Sequence, residues 1–239
     1  APQQRGAQKK QINQFGMLGP PPEKDRGKKC LVLDLDETLV HSQFNQIKSP
    51  DYTIPVDIEG NVCNIFVSKR PGVDNFLKTM SQHFELVIFT ASLSKYADPL
   101  MNLMDPNGYC TMRLFREHCT YINGVFTKDM SKIGRDMKDA IILDNSPSAY
   151  MLQPECAMPI ISWYDDPKDR QLFDLIPFLY SLVRYMIAGR RLRGLLKIIL
   201  SISTWPNKYV MHFLEARARQ GEGKIDLDAT AVKNAAEGS

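Results

Sequence analysis

The sequence lacks any apolar run of the roughly 18 residues that a membrane-spanning helix needs, so no such helix is expected. It is also poor in cysteine pairs: its five cysteines are scattered, and none forms a CxxC motif. This spacing argues against a disulfide framework and against a structural zinc site. Reduced thiols fit a nuclear or cytoplasmic protein, which we expect to be soluble or peripherally attached.

The chain has no large excess of charge of one sign, since its formal net charge is only +3. The charges are unevenly placed, however. Residues 30–179 hold 20 acidic and 13 basic residues, whereas residues 1–29 and 180–239 are both basic. An acidic centre argues against a uniformly basic nucleic-acid-binding domain, so we expect no direct contact with nucleic acid.

Composition divides the chain into four parts. Residues 1–29 are rich in Gln, Gly, Pro and Lys and are expected to form a flexible basic arm. Residues 30–182 contain the short apolar runs that a folded domain needs for its core. Residues 183–219 follow helical spacing with interspersed arginines, which predicts an amphipathic basic helical extension. Residues 220–239 are Gly-, Ala- and acid-rich and are expected to be disordered.

Within the central part, short apolar runs alternate with helical stretches. Buried strands are predicted at 30–33, 86–89 and 140–143, a further strand at 158–162, a short strand at 125–127, a hairpin over 52–58 and 61–69, and helices at 71–82 and 92–104. Alternating strands and helices predict an α/β fold with a mostly parallel sheet flanked by helices. The hairpin would be a small insertion into it.

Polar side chains follow three of these apolar strands at the point where each ends. The first strand is followed by Asp34 and Asp36, the second by Thr90, and the third by Asp144 and Asn145. Ligands bind at the carboxyl ends of parallel strands, so these residues are candidates for one site. Each alone could cap a helix or form a turn. Two carboxylates beside a buried strand, however, require a cation nearby.

The residue types suit phosphoryl transfer. Oxygen ligands without a His/Cys cluster favour Mg²⁺. One carboxylate can attack phosphorus, and a second can protonate the leaving oxygen and later activate water. Thr90 and Lys128, which follows the strand at 125–127, can stabilise the transferring oxygens.

Five segments together resemble a known family. They are GKKCLVLDLDETLVHS, FTASLSKYADP, FREHC, TKDMSKIGRD and ILDNSPSAY. DLDET matches the DxDxT signature of the haloacid dehalogenase phosphatases. The whole set resembles the small phosphatases of the RNA polymerase II carboxy-terminal domain, the FCP/SCP group, from about Lys28 to about Leu182. The resemblance implies a HAD-like, Rossmann-like sheet with an insertion over about residues 44–69.

The resemblance also implies roles for the site residues. Asp34 would be the nucleophile and a Mg²⁺ ligand, and Asp36 the general acid/base that lends the metal its backbone carbonyl. Thr90 and Lys128 would hold the phosphate. Asn145 would complete the protein's metal ligands, supported by the neighbouring aspartate.

A further set matches family positions that contact the substrate peptide. An apolar pocket for a proline would be lined by Phe44, Val56, Ile58, Ile65 and Leu93. Tyr96 and Arg116 would contact the peptide or its phosphate. The apolar residues could instead be hairpin core, an alternative that stays open chiefly for Val56 and Ile65.

These observations predict a Mg²⁺-dependent protein serine/threonine phosphatase that works through an aspartyl-phosphate. Its substrates would be phosphoserine-proline-type segments, such as those of the RNA polymerase II carboxy-terminal domain. The main alternative is a phosphatase-fold scaffold in a larger assembly that uses both basic ends as contacts; a small-metabolite phosphatase is less favoured. Residues 184–219 would bind a protein or an anionic membrane, or else fold back on the domain.

Overall fold

The computed structural model describes residues 16–187, which form three α-helices and ten strands in that range. The strands are β1 (Lys29–Leu33), β2 (Val40–Gln43), β3 (Tyr52–Ile58), β4 (Asn61–Lys69), β5 (Phe84–Phe89), β6 (Cys110–Leu114), β7 (Thr120–Ile122), β8 (Val125–Thr127), β9 (Ala140–Asp144) and β10 (Ala157–Pro159). The helices are α1 (Val73–Met80), α2 (Ser94–Met104) and α3 (Gln171–Ile187). Short 3₁₀ helices occupy several of the connections.

The central sheet has the strand order β10-β9-β1-β5-β6, and every neighbouring pair is parallel. The predicted mostly parallel sheet is therefore confirmed. Its three central strands are the three apolar runs that the sequence showed, because strands covered on both faces carry apolar side chains throughout. The edge strands are less apparent from sequence: β10 ends at Pro159, earlier than expected, and β6 was not predicted.

Successive side chains of β1 point to opposite faces of this sheet. Leu31 and Leu33 belong to a core shared with α1, α2 and α3. Cys30 and Val32 belong to a second core, which is closed by 3₁₀ helices and loops that carry residues such as Met130 and Ile133. The sheet is thus covered by α-helices on one face and by short 3₁₀ segments on the other.

The predicted hairpin is the core of a small antiparallel sheet with the order β2-β4-β3. β3 and β4 pair from Tyr52↔Val67 to Ile58↔Asn61, with Glu59 and Gly60 at the turn. The third strand, β2, follows the first motif directly and pairs with the end of β4. This pairing places the insertion beside the carboxyl edge of the central sheet.

Part of the predicted flexible arm is packed against the domain. Leu18 is buried, and its N–H donates to the Ile133 carbonyl at 3.1 Å. Arg135 donates to the Gly19 carbonyl at 2.8 Å. A Pro- and Gly-rich stretch cannot form its own core, but here Leu18 completes the core on the face without α-helices. The expectation for residues 1–29 is therefore wrong for residues 16–29, and residues 1–15 lie outside the described range.

The boundary predicted near residue 182 falls inside a helix. α3 continues to Ile187, and both Leu182 and Val183 are buried against the domain. The rest of the predicted extension and the predicted tail at 220–239 lie outside the described residues. Within residues 16–187, no helix combines the length and apolar character needed to cross a bilayer.

Candidate active site

The carboxyl edge of the central sheet brings together the polar residues that follow its strands. The Asp34 N–H donates to the Leu143 carbonyl at 3.0 Å, which fixes the end of β1 beside β9. The Thr90 N–H donates to the Leu114 carbonyl at 2.9 Å. Asp34, Thr90 and Asp144 are all buried at this edge. The parallel register therefore converts three separate strand endings into one site.

Lys128 bridges the two buried carboxylates of this site. Its Nζ lies 2.5 Å from Asp34 Oδ1 and 2.6 Å from Asp144 Oδ2. Burial favours the neutral amine, but the two carboxylates outweigh it and raise the pKa of Lys128 above its ordinary value. The lysine is therefore a fixed positive charge beside Asp34.

One ammonium does not neutralise two carboxylates, so this buried cluster has a net charge of −1 when both are ionised. Burial is the main cause that raises the pKa of Asp144, to about 6; Lys128 opposes the rise and Asp34 adds to it. A further cation would relieve the remaining negative charge.

Thr38 connects the nucleophile candidate to Asn145. Its hydroxyl lies 2.7 Å from Asp34 Oδ2 and 3.3 Å from Asn145 Oδ1. The Asn145 amide nitrogen donates to Ser162 Oγ at 2.9 Å, which turns the amide oxygen towards Thr38 and Asp34. Ser162 was not among the sequence candidates, because nothing in the sequence places it opposite the asparagine.

Asp36 lies within reach of four hydroxyl groups. Ser92 Oγ and Tyr96 OH donate to it at 2.7 and 3.0 Å, and the hydroxyls of Ser42 and Thr90 lie at 3.3 Å. Burial raises the pKa of Asp36, and the hydrogen bonds from Ser92 and Tyr96 oppose the rise. Ser92 could have been found by the rule that located Thr90, since it lies two residues further on. Ser42 could not, because β2 was not predicted.

All seven predicted peptide-contact residues line one recess of about 310 Å³ beside Asp36. They are Phe44, Val56, Ile58, Ile65, Leu93, Tyr96 and Arg116. Val56 and Ile65 are also buried in the core, so for them the two interpretations are not exclusive. Phe44 is 64% exposed and Leu93 41% exposed, so burial in the hairpin core does not account for them.

Arg116 is held in place at this recess by two contacts. Its Nε donates to the Ala91 carbonyl at 2.6 Å, and its guanidinium lies 5.0 Å from the centre of the Phe126 ring. Neither contact neutralises its charge. Arg116 therefore presents a positioned cation near the end of β5.

The donor set fits Mg²⁺. The oxygens expected to hold the metal are the Asp34 carboxylate, the Asp36 carbonyl and the Asn145 amide oxygen, which are all hard donors. The buried cluster beside them carries a net negative charge when both of its carboxylates are ionised. Among residues 16–187, no group of three or more His, Cys, Asp or Glu side chains is arranged as a metal site. An ion that keeps several waters and needs few carboxylates is the kind that this set suits.

The sequence pattern of one protein family, the NLI interacting factor-like phosphatases, matches residues 29–187, which is more than half of the chain. The chain belongs to this family. The matched range starts within one residue of the predicted one and extends to the end of α3, so the resemblance to FCP/SCP-type phosphatases is confirmed.

Two curated relatives show the extent of the similarity. The chain is 52% identical over 160 residues to the CTD small phosphatase-like protein of Homo sapiens, covering 67% of this chain and 58% of that one. It is 52% identical over 158 residues to the probable C-terminal domain small phosphatase of Dictyostelium discoideum, covering 66% and 52%. The chain spans about half the length of the curated relatives it matches.

Among solved structures, the chain is similar to Fcp1, an essential RNA polymerase II CTD phosphatase. That match has a TM-score of 0.49 and 17% sequence identity, and it covers 75% of this chain and 54% of the other.

Proposed function

We propose that this chain is a Mg²⁺-dependent protein serine/threonine phosphatase that works through an aspartyl-phosphate. The main support is the arrangement around Asp34, whose carboxylate is held by Lys128 and Thr38. The second carboxylate, Asp36, lies nearby, bound by hydroxyl groups and next to an apolar recess. Membership of a phosphatase family and relatives that are named phosphatases support the same activity.

In the first step, an Asp34 carboxylate oxygen attacks the phosphorus of a phosphoserine. The bond to the serine oxygen breaks, and Asp36 gives that oxygen its proton. The products are an aspartyl-phosphate on residue 34 and a free serine. Lys128, fixed 2.5 Å from the attacking carboxylate, and Thr90 offset the charge on the transferring oxygens.

In the second step, water attacks the aspartyl-phosphate. Asp36 now accepts a proton from that water, which regenerates the Asp34 carboxylate and releases inorganic phosphate. The hydroxyls of Ser92 and Tyr96 keep the Asp36 carboxyl in one orientation during both steps. Asp36 thus ends the cycle in its starting protonation state.

Asp34, the Asp36 carbonyl and Asn145 would hold the Mg²⁺. When bound, the ion supplies positive charge that offsets the negative charge of the phosphate oxygens and of the buried carboxylates. Thr38 and Ser162 would not contact the metal but would position its ligands, because they orient Asp34 and the Asn145 amide.

The substrate would be a phosphoserine-proline-type segment, such as the RNA polymerase II carboxy-terminal domain. The recess beside Asp36 offers apolar surface from Phe44, Ile58 and Leu93, which suits a proline or another apolar residue next to the phosphoserine. The names of the human and Dictyostelium relatives refer to a CTD or a C-terminal domain, which is compatible with such a substrate. A nuclear or cytoplasmic location would follow.

The decisive experiment compares the wild-type protein with Asp34→Asn on a phosphoserine-proline peptide and on an aryl phosphate. We expect Mg²⁺-dependent turnover only in the wild type, with unchanged circular dichroism in the variant. Brief incubation with ³²P-labelled substrate should give a hydroxylamine-labile label on the wild type and none on Asp34→Asn.

Absence of turnover by the wild-type protein on both substrates would contradict the proposal. That outcome would favour the alternative, a phosphatase-fold scaffold with basic ends as contacts. For the proposed protein or anionic-membrane partner of residues 184–219, the matched test is deletion of 188–239. This deletion keeps α3 whole and should remove binding to anionic vesicles or to the partner.

A further inference from the structure

The recess beside Asp36 contains a second cation, which the proposed reaction does not use. Lys95, the second residue of α2, is exposed and lines the recess. Its Nζ donates to the Asp57 carbonyl on β3 at 2.7 Å. This bond holds the ammonium at the recess but leaves its charge and two of its three protons available.

Within residues 16–187, no carboxylate lies at ion-pair distance from Lys95 Nζ. The nearby Asp57 carboxylate is directed elsewhere, since it accepts the Gly60 N–H at 2.8 Å in the hairpin turn. Lys69, at the end of β4, differs from Lys95 in having an acidic partner, because its Nζ binds Asp74 Oδ2 at 2.6 Å. A positioned ammonium without an acidic partner, next to an apolar recess, is a candidate site for an anion.

The insertion sheet fixes where this cation lies relative to the reacting site. Ser42, whose hydroxyl faces Asp36, is on β2, whereas Asp57 is on β3, and β4 lies between these strands. Ser42 is opposite Val67 on β4 and Asp57 is opposite Val62, so the two positions differ by two strand spacings across the sheet and by five residues along it. These offsets correspond to roughly 10 Å and roughly 17 Å. Combined, they place the two positions up to roughly 20 Å apart, a distance that an extended peptide at roughly 3.3 Å per residue spans with about six residues.

We infer that Lys95 is an anion-binding subsite for the substrate peptide. It would bind a side-chain carboxylate or phosphate up to about six residues from the phosphoserine that is hydrolysed, with the intervening apolar residues in the recess. This inference rests on the proposed phosphatase function and adds a charge requirement to it. The preferred substrates would then be acidic or multiply phosphorylated segments.

The size of the effect follows from the exposure of the site. An exposed ion pair to a carboxylate should change kcat/KM by about two- to fivefold, and a phosphate, which carries more charge, by up to about tenfold. Both effects should weaken as salt concentration rises, because exposed charges are screened.

The test uses one phosphoserine-proline peptide in which Glu, a second phosphoserine or Gln is placed at each position from about two to about six residues away, on either side. For each protein, kcat/KM on the anionic peptide is divided by kcat/KM on the matched Gln peptide. The wild type should give a ratio above one at one spacing, and Lys95→Arg should retain it. Lys95→Gln should lose it. The control, Lys78→Gln at an exposed position of α1, removes the same charge away from the recess and should retain the ratio.

The inference is overturned if no spacing gives a charge-dependent ratio, or if Lys95→Gln keeps the wild-type ratio. A ratio above one for the second phosphoserine alone assigns the subsite to phosphate, and one for Glu as well assigns it to anions in general. If the wild type hydrolyses neither aryl phosphate nor peptide, the proposed function fails separately. The same peptide series, measured by fluorescence anisotropy, then tests Lys95 through binding.

Discussion

Arg70 and Asp169 form a bidentate ion pair that connects the end of the insertion to the start of α3. Arg70 Nε and Nη2 lie 2.8 and 2.9 Å from the two carboxylate oxygens of Asp169. The third nitrogen, Nη1, donates to the Thr38 carbonyl at 3.1 Å. Because Thr38 also binds Asp34, this buried pair supports the loop that carries the nucleophile candidate.

Removing one partner of this pair should strongly destabilise the protein. Asp169→Ala leaves the Arg70 guanidinium buried without a counter-charge, so we expect the free energy of unfolding to fall by about 3–5 kcal/mol. Urea denaturation measures this change. As a control, Asp174→Ala removes the half-buried partner of the exposed Arg170, and this loss should stay below about 1 kcal/mol. Equal losses in the two variants would contradict the role given to the buried pair.

Asp129 should make stability depend on pH in the acid range. Its carboxylate accepts bonds from Ser131 and Gln153 at 2.6 and 2.9 Å. Burial favours the neutral carboxyl, but the hydrogen bonds, with Lys132 among the donors, outweigh it and lower the pKa of Asp129. A lowered pKa in the folded state means that the ionised carboxylate stabilises the fold above the unfolded-state pKa of about 4.

The measurement is the difference in free energy of unfolding between the wild type and Asp129→Asn. We expect the wild type to be more stable by about 1 kcal/mol near neutral pH. The difference should shrink as pH falls below about 4, through the lowered folded-state pKa. A difference that stays constant from pH 7 to pH 2.5 would show that ionisation of Asp129 does not contribute.

Gly16 should be required for packing of the segment that covers the second face of the sheet. Its φ is +57°, and an added Cβ would lie 2.5 Å from the Gly134 nitrogen and closer still to the Lys132 oxygen. Gly16→Ala should therefore detach the segment and reduce hydrogen-exchange protection of the Leu18 amide. The control is Gly108→Ala, which has φ +64° but open space around the added Cβ. Unchanged protection in Gly16→Ala would refute the packing of this segment.

The apolar residues of the recess were expected either to contact the peptide or to form the hairpin core. These two roles predict different effects of substitution at Phe44 and Val56. Phe44 is 64% exposed, so Phe44→Ala should change stability by less than about 0.5 kcal/mol but raise KM for a phosphoserine-proline peptide several-fold. Val56 is 3% exposed, so Val56→Ala should cost about 1–3 kcal/mol of stability through the cavity it leaves. A Phe44→Ala variant with an unchanged KM would remove this residue from the peptide site.

The central strands could be predicted because their side chains are buried on both faces, and the hairpin strands β3 and β4 because their polarity alternates on either side of the turn at Glu59 and Gly60. β1, β5 and β9 each contain a continuous run of four apolar residues, because each strand lies in the middle of the sheet. β6, with the sequence CTMRL, lies at the edge and carries partly exposed residues, so its sequence gives no such signal. β2 has only one buried residue and depends on its pairing with β4.

The sequence alone determined which chemistry the chain could carry, since Asp34, Asp36, Thr90 and Asn145 each follow a strand or motif that can be recognised locally. Only the tertiary structure decided how their charges are balanced. Lys128 is 94 residues from Asp34 along the chain, yet its ammonium lies between two carboxylates. The recess, the packing of Leu18 and the position of Lys95 were likewise decided by contacts between distant segments, because burial and charge pairing depend on three-dimensional neighbours that local sequence does not specify.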